Sequence, residues 1–390
     1  MRVFFVVGEE SGDLLGGELI EALHAHHPGA VEVAGAGGER MVAQGLEPLF
    51  PLSDISVMGL TAVIARLPTI IRRISDCVTA IREFRPDVVV IIDSPDFTHR
   101  VAKRVRKLMP ELPIIGYVSP SVWVWRPGRA KKMARYVDHL LAILPFEPEV
   151  HKRLDGPPCS YVGHPLLTKL ERLRPKAGER EDFSSAEKPV LLILPGSRGS
   201  ETSRLLEPFA KTLEIISRKF PDLELLLPAV AHLEDDIRKA VDMWPVRPKI
   251  LIGEKEKLSA FRRAHAALAA SGTVTLELAL AGVPMVVAYK VDFIYGSLRK
   301  ITGITPVFSL PNIILDGPIV PELVQENATP EIMAKALAPL LTDGPERARQ
   351  LQAFEKLDDI MRLHDGDRPA DKAAEIVSRY AAEGRKGSAE

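Results

Sequence analysis

The stretch Leu194-Pro195-Gly196-Ser197-Arg198-Gly199-Ser200-Glu201 has the make-up of an anion-binding turn. It follows the apolar run Val190-Leu191-Leu192-Ile193, which reads as a buried strand, and an amphipathic helical pattern begins near Glu201. A Gly-Ser-Arg-Gly turn from strand into helix offers backbone N–H groups and one guanidinium to an anion. A second turn of this kind, Ser271-Gly272-Thr273, follows a strand-like run at 266–270 and opens a helix carrying Glu277. Two such turns in one half of the chain suggest a nucleotide-diphosphate site. The plainer reading of each, taken alone, is a helix cap.

The first half carries carboxylates at comparable places. Asp93 closes the apolar run Val88-Val89-Val90-Ile91-Ile92, where a carboxylate is partly withdrawn from water and suits a general base for a hydroxyl nucleophile. The alternative is structural, a cap for the helix near Phe97, which Ser94 or Asp96 can supply and Asp96 fits better, with Pro95 in the first turn. Gly8-Glu9-Glu10-Ser11-Gly12-Asp13 closes the first apolar run. Its glycines allow close backbone approach, Ser11 or Asp13 can cap the following helix, and Glu9 and Glu10 suit sugar hydroxyls better than phosphates. The spacing is not G-x-G-x-x-G and no acid ends the second strand, which argues against a dinucleotide, and the run Gly35-Ala36-Gly37-Gly38 reads as a simple turn. Trp123 either lines a sugar-stacking wall or plugs its loop onto the core. Likewise, His164 either faces a cleft or holds the linker. Asn312 and Gln325 are polar groups in apolar settings, in loops able to reach a ligand.

These residues must be positioned by an alternating pattern of strands and helices. Strands are expected at 2–7, 31–34, 88–92, 113–118, 139–144 and 159–162, and again at 189–194, 223–228, 249–252, 266–270 and 284–289. Runs of Val, Ile and Leu without alternation belong to parallel sheets covered on both faces. Two successive sets of such units imply an α/β chain with two Rossmann-like doubly wound parallel-sheet domains. The expected boundaries are 1–170, 188–345, and a helical segment 346–390 that packs back on the first domain or swaps in a dimer. At 390 residues, 46% hydrophobic and 26% charged, the chain is long enough for two cores.

A net charge of −1 argues against a nucleic-acid partner. The charge is uneven, however: ten Lys/Arg stand against the single acid Glu111 between His99 and Arg135. That segment is either a pair of solvated helix faces or an anionic-surface site. Between Val57 and Ile74 the apolar residues Val57, Leu60, Ile64, Leu67, Ile71 and Ile74 recur at three and four residues, and Arg66, Arg72 and Arg73 are the only charges. Pro68 reads as the start of a second helical piece. This pattern fits a core helix, or one whose Ile64, Leu67, Ile71 and Arg72 touch a membrane surface. No cysteine has metal-ligand spacing, no metal is expected, and no leader or spanning segment is read, so the expected compartment is the cytosol.

Six of these motifs, in register, carry a resemblance. Gly8-Glu9-Glu10-Ser11-Gly12-Asp13, Ile92-Asp93-Ser94-Pro95-Asp96-Phe97, Tyr117-Val118-Ser119-Pro120-Ser121-Val122-Trp123, Leu144-Pro145-Phe146-Glu147, Leu194-Pro195-Gly196-Ser197-Arg198-Gly199 and Ser309-Leu310-Pro311-Asn312 together resemble the lipid-A-disaccharide synthase family, from about residue 3 to 380. The resemblance implies a B-type glycosyltransferase fold with a cleft between two domains. It also implies metal-independent, inverting transfer, without a cofactor, of diacylglucosamine from UDP to diacylglucosamine 1-phosphate on the cytoplasmic face of the inner membrane. Asp93 matches the family's base. Gly196, Ser197, Arg198, Ser271, Gly272, Thr273, Glu277, Asn312 and Gln325 match its donor side, and Glu9, Ser11, Asp96 and Trp123 its acceptor side. Members can exchange C-terminal segments as homodimers. Two positions depart from the pattern: Glu10 stands where Ala is usual, and Thr98 where Asn is commoner, which puts one acceptor contact in doubt. The rival expectations are a UDP-sugar epimerase on the same fold and a non-catalytic ligand-binding protein.

Overall fold

The computed structural model describes residues 1–56, 60–124, 126–290, 307–363 and 367–384, with side chains from Arg66 onward in the helix Leu60–Phe84. The chain divides into two compact units, Met1–Leu167 with Met361–Glu390, and Thr168–Ile360.

In the first unit six parallel strands, β1 (Arg2–Val7), β2 (Glu32–Ala36), β3 (Val88–Ile92), β4 (Ile114–Tyr117), β5 (His139–Ala142) and β6 (Cys159–Tyr161), lie in the order β2-β1-β3-β4-β5-β6. Every residue of β3, β4 and β5 is buried, which is why these strands lack polar alternation. One face is covered by the helices Glu10–His26 and Pro369–Glu383, whose Leu19, Ile20, Leu23, Ala373, Val377 and Tyr380 enter the same core. The other face is covered by Leu60–Phe84 and Pro95–Leu108 through Ile74, Cys77, Ile81, Val101 and Val105. The last helix is also tied in by polar contacts. Tyr380 Oη meets His139 Nδ1 at 3.1 Å, and His27 Nε2 meets Ser378 Oγ at 2.9 Å.

The second unit repeats the scheme with β7 (Val190–Leu194), β8 (Glu224–Ala229), β9 (Lys249–Ile252), β10 (Ala264–Ala270), β11 (Met285–Tyr289) and β12 (Glu322–Val324), ordered β12-β11-β10-β7-β8-β9 and parallel throughout. This is the order of dinucleotide-binding folds. The helix Gly199–Lys219 covers one face with Leu205, Phe209, Leu213 and Ile216, joined by Pro330–Leu337.

Strand order reverses between β1 and β3 in the first sheet and between β7 and β10 in the second. At such switch points the following loops splay apart and open a crevice beyond the carboxyl ends of the strands. Ser11 stands in the first turn of the helix that follows β1 and Asp93 in the turn after β3; the turns after β7 and β10 hold Arg198 and Ser271.

Three expectations need correction. Pro68 lies inside one continuous helix, Leu60–Phe84, which forgoes a single amide bond there rather than restarting. β12 was not expected, because its three residues include the acid Glu322 and carry no strand-like run. Gly35 belongs to β2 rather than to a turn, with φ +143°; a Cβ there would stand 2.0 Å from Phe5 O, so the sheet requires glycine.

Candidate active site

Asp93 follows the last residue of β3, and its amide continues the ladder by donating to Tyr117 O at 3.1 Å. The backbone then turns through two consecutive left-handed residues, Asp93 (φ +53°) and Ser94 (φ +42°). Such conformations cost non-glycine residues energy and are retained where the surroundings over-determine them, often at functional sites. Here the surroundings are identifiable. Ser11 Oγ donates to Asp93 Oδ2 at 2.8 Å, Ser94 N donates to Oδ1 at 2.8 Å, and Thr98 Oγ1 donates to Asp93 O at 2.7 Å. Gly8 lets the two turns meet, since a Cβ on it would lie 2.3 Å from Ser94 Cβ.

Each carboxylate oxygen offers about two lone-pair directions. After Ser11 and Ser94 are served, each oxygen of the half-buried Asp93 keeps one. The arrangement therefore presents an oriented anion able to accept a proton from an incoming hydroxyl.

The remaining first-unit candidates separate clearly. Ser11 meets Asp93 and does not cap its helix, whose N-cap is the exposed Glu9. Asp13 caps nothing in its own helix either. Buried, it accepts from the amides of Gly38, Arg40 and Met41 at 2.7, 2.9 and 3.2 Å, and so fixes the turn after β2. Asp96 is not the helix cap: that position is Ser94, while the exposed Asp96 pairs with Arg129 at 3.3 Å. Trp123 stacks edge-on against Phe146, centroids 5.0 Å apart, over a small cluster of Val122, Ala130 and Val150. That packing matches the loop-plugging alternative. His164 is buried and accepts from Leu166 N at 3.1 Å, a linker role.

In the second unit the helix Gly199–Lys219 begins directly after Arg198, whose extended backbone forms the N-cap. Glu201 N and Thr202 N donate to Arg198 O at 2.9 and 3.0 Å, while the amides of Gly199 and Ser200, ahead of them, have no helical carbonyl behind them and point toward the turn. Gly196 adopts φ +118°, which only glycine takes readily. The Arg198 guanidinium is largely exposed and bonded to Glu201 Oε1 at 2.8 Å, so an arriving anion has to compete with one carboxylate. Across the switch point, Gly272 (φ +145°) is the N-cap of Thr273–Leu280, and Ser271 Oγ donates to Phe308 O at 3.1 Å. Glu277, on that helix, accepts from Lys257 Nζ at 2.6 Å.

Asn312 is a correction. Its side chain donates to Val320 O and Glu322 Oε1, both at 2.8 Å, and accepts from Ile319 N and Val320 N at 2.9 and 2.8 Å. All four of its hydrogen-bonding directions are occupied within the fold. It therefore pins the loop before β12 and offers nothing to a donor sugar. Gln325 follows β12 directly, in a left-handed conformation, φ +56°.

Of the membrane-contact candidates, Ile64 lies outside the residues whose side chains are described. Leu67 and Ile71 are 42% and 45% exposed and Arg72 is exposed, whereas Ile74 is core, so the apolar stripe divides along its length. Arg73 is held by Asp54 and Asp76. No described helix is long and apolar enough to cross a membrane.

Sequence reasoning missed two buried groups behind the loops that follow β4 and β5. Glu147 is lodged beneath Leu144, whose amide it accepts at 2.9 Å, and burial pushes its carboxyl up to about 8. His151, one helical turn on, meets Ser119 Oγ at 2.8 Å and is pushed down to about 4, also by burial. The Leu-Pro-Phe-Glu motif was the available signal for Glu147.

Comparison with known proteins follows the same lines. The family described as lipid-A-disaccharide synthetase matches residues 3–376. The lipid-A-disaccharide synthase of Nitrobacter winogradskyi is 50% identical over 386 residues, covering 98% of this chain and 96% of that protein. That of Bradyrhizobium diazoefficiens is 49% identical over 387 residues, covering 99% and 98%. Among solved structures, the UDP-GlcNAc 2-epimerase from Neisseria meningitidis bound to UDP-GlcNAc superposes with a TM-score of 0.62 at 13% identity, over 98% of this chain and 100% of that one. Acinetobacter baumannii MurG gives 0.55 at 14%, over 97% and 99%. At such identities the structural likenesses speak for the fold alone.

Proposed function

Because this chain belongs to the lipid-A-disaccharide synthase family, a family of glycosyltransferases acting in lipid A biosynthesis, we propose that Asp93 is its catalytic base and the turn around Arg198 its diphosphate seat. The reaction we assign is transfer of diacylglucosamine from UDP to the 6-hydroxyl of diacylglucosamine 1-phosphate. The first unit binds the phosphorylated acceptor and the second binds the sugar-nucleotide donor.

One observation carries this reading: the carboxylate oriented by Ser11 and Ser94 at the carboxyl end of β3. An α-linked donor becoming a β-1,6 product undergoes a single displacement with inversion. The acceptor oxygen attacks the anomeric carbon, its proton passes to Asp93, and the bond to the UDP oxygen breaks. Charge then builds on the departing diphosphate. The Gly199 and Ser200 amides at the start of Gly199–Lys219, with the Arg198 guanidinium, are suited to stabilise it. Loss of one such preorganised donor typically costs about 2.7–4 kcal/mol of barrier.

Leu67, Ile71 and Arg72, exposed on one helix, support contact with the inner-membrane surface, where acyl chains of the substrates reside. An epimerase has no use for a second acylated sugar. The direct test is incubation of the purified protein with UDP-diacylglucosamine and diacylglucosamine 1-phosphate, with and without chelator. Disaccharide 1-phosphate and UDP should appear in equal amounts under both conditions; release of UDP without disaccharide, or epimerised donor, would reject the assignment.

A further inference from the structure

The cationic segment 99–135 sorts itself by contact. Arg106 is buried against Asp138 and the carbonyls of Pro110 and Leu112, Arg104 reaches Ser75, and Lys131 pairs with Asp155. Five others, Arg100, Lys103, Arg126, Arg129 and Lys132, line one pocket of about 510 Å³. The only carboxylate among its described lining residues is Asp96, held by Arg129. The floor is a buried pair, His99 Nδ1 and Tyr136 Oη at 3.0 Å, with Lys103 Nζ 5.0 Å above the Tyr136 ring.

Such an array repels itself. Lys103 is held below the ordinary lysine range by burial and by Arg129, Arg100 and Lys132. Burial, with Arg129 and Lys103, pushes His99 down to about 4, so the floor stays neutral. A concave site with five cations, one carboxylate and a neutral hydrogen-bonding floor is complementary to a compact anion of more than one charge. Its near wall, Pro95 and Asp96, begins two residues after Asp93 on the same turn and helix.

We propose that this pocket is the subsite for a phosphomonoester, the 1-phosphate of the acceptor sugar. The inference rests on the transfer reaction assigned above. The phosphate anchors the sugar along the helix Pro95–Leu108, which leaves the hydroxyl end of the ring to Asp93. Recognition of the phosphate thereby selects the acceptor over the donor, each of whose phosphates carries one ester and one anhydride bond and so has no monoester terminus.

The test is the double variant Arg100→Gln/Lys132→Gln, both positions being exposed, assayed in neutral detergent micelles. Acceptors are diacylglucosamine 1-phosphate and the same diacylglucosamine without phosphate. The KM for the phosphorylated acceptor should rise at least tenfold, with the KM for the phosphate-free acceptor and for the donor unchanged. Equal effects on both acceptors, or none, would overturn the proposal. So would a variant that loses only its binding to phosphatidylglycerol vesicles, since the anion recognised would then be a membrane headgroup. Binding is tested without turnover by titrating glucosamine 1-phosphate into the full-length protein and following the His99 ring signals by NMR. A saturable shift, lost in the double variant, is expected; a silent His99 refutes the subsite, even if the transfer reaction itself is correct. Conversely, a shifting His99 in a protein that makes no disaccharide would reject the reaction and keep the anion site.

Discussion

Ser11 and Asp93, 82 residues apart in the chain, are joined by a 2.8 Å hydrogen bond across the switch point of the first sheet. The contact links the first turn of the helix Glu10–His26 to the turn after β3 and fixes one oxygen of the carboxylate while leaving a lone pair open. A hydrogen bond to a charged group is worth about 1.5–3 kcal/mol. Ser11→Ala is therefore expected to lower kcat by about ten- to a hundredfold with little change in UDP affinity. Steady-state kinetics with calorimetry checks this; wild-type turnover in the variant would mean that the serine plays no part in aiming Asp93.

Gly8 carries a steric prediction. A methyl group there meets Ser94 Cβ at 2.3 Å, on a backbone already turned through two left-handed residues. Overpacking of this kind costs about 1–3 kcal/mol. Gly8→Ala should melt at a lower temperature than the wild type and displace Asp93, losing activity as well. Thermal denaturation beside an activity assay distinguishes the two effects, and a variant indistinguishable from wild type in both would contradict the close approach.

Arg198 is bonded to Glu201 while remaining largely exposed. Its removal is expected to weaken UDP binding about ten- to a hundredfold, the span of a charge-assisted hydrogen bond. Calorimetric titration of Arg198→Ala with UDP measures it; an unchanged Kd would remove the arginine from the diphosphate site.

The sheets and their strand-end turns were legible because a parallel strand covered on both faces is written as an unbroken apolar run, and Asp93 or Gly196 stands out at its end. Long-range polar pairing was not. Asn312 reads as a ligand-facing amide, yet its partners are Val320, Ile319 and Glu322, and Glu322 sits on a strand too short and too polar to be recognised. Asp13 similarly reads as a helix cap, while its partners are the amides after β2, 25 to 28 residues away. Local composition signals which residues are polar in an apolar setting; it does not say whether the fold or a ligand occupies them.

Stability should depend on pH in two windows. His99, His139, His151 and His164 are all pushed down to about 4, chiefly by burial, from an ordinary value of 6.5. Between these values the unfolded chain binds more protons, so stability is full above about 6.5 and is lost as pH falls toward 4. Glu147 has the opposite sign. Raised from 4.5 to about 8, it binds more protons when folded, and its contribution fades as pH rises through that range. Melting temperatures should therefore drop steeply on acidification, and Glu147→Gln should flatten the loss between about pH 6.5, above the histidine window, and about pH 8. A variant with the wild-type alkaline profile would contradict the buried, protonated carboxyl.

The central claim is that Asp93 takes the proton from the attacking hydroxyl. Asp93→Asn keeps the shape of the side chain, with its oxygen for Ser94 N and its amide NH2 for a Ser11 hydroxyl that now accepts, and removes the basic group. Disaccharide formation by this variant, measured alongside UDP affinity, should fall by about 10²–10⁴, the contribution of a positioned general base, with the UDP Kd unchanged. Turnover retained above about a hundredth of wild type would contradict the account.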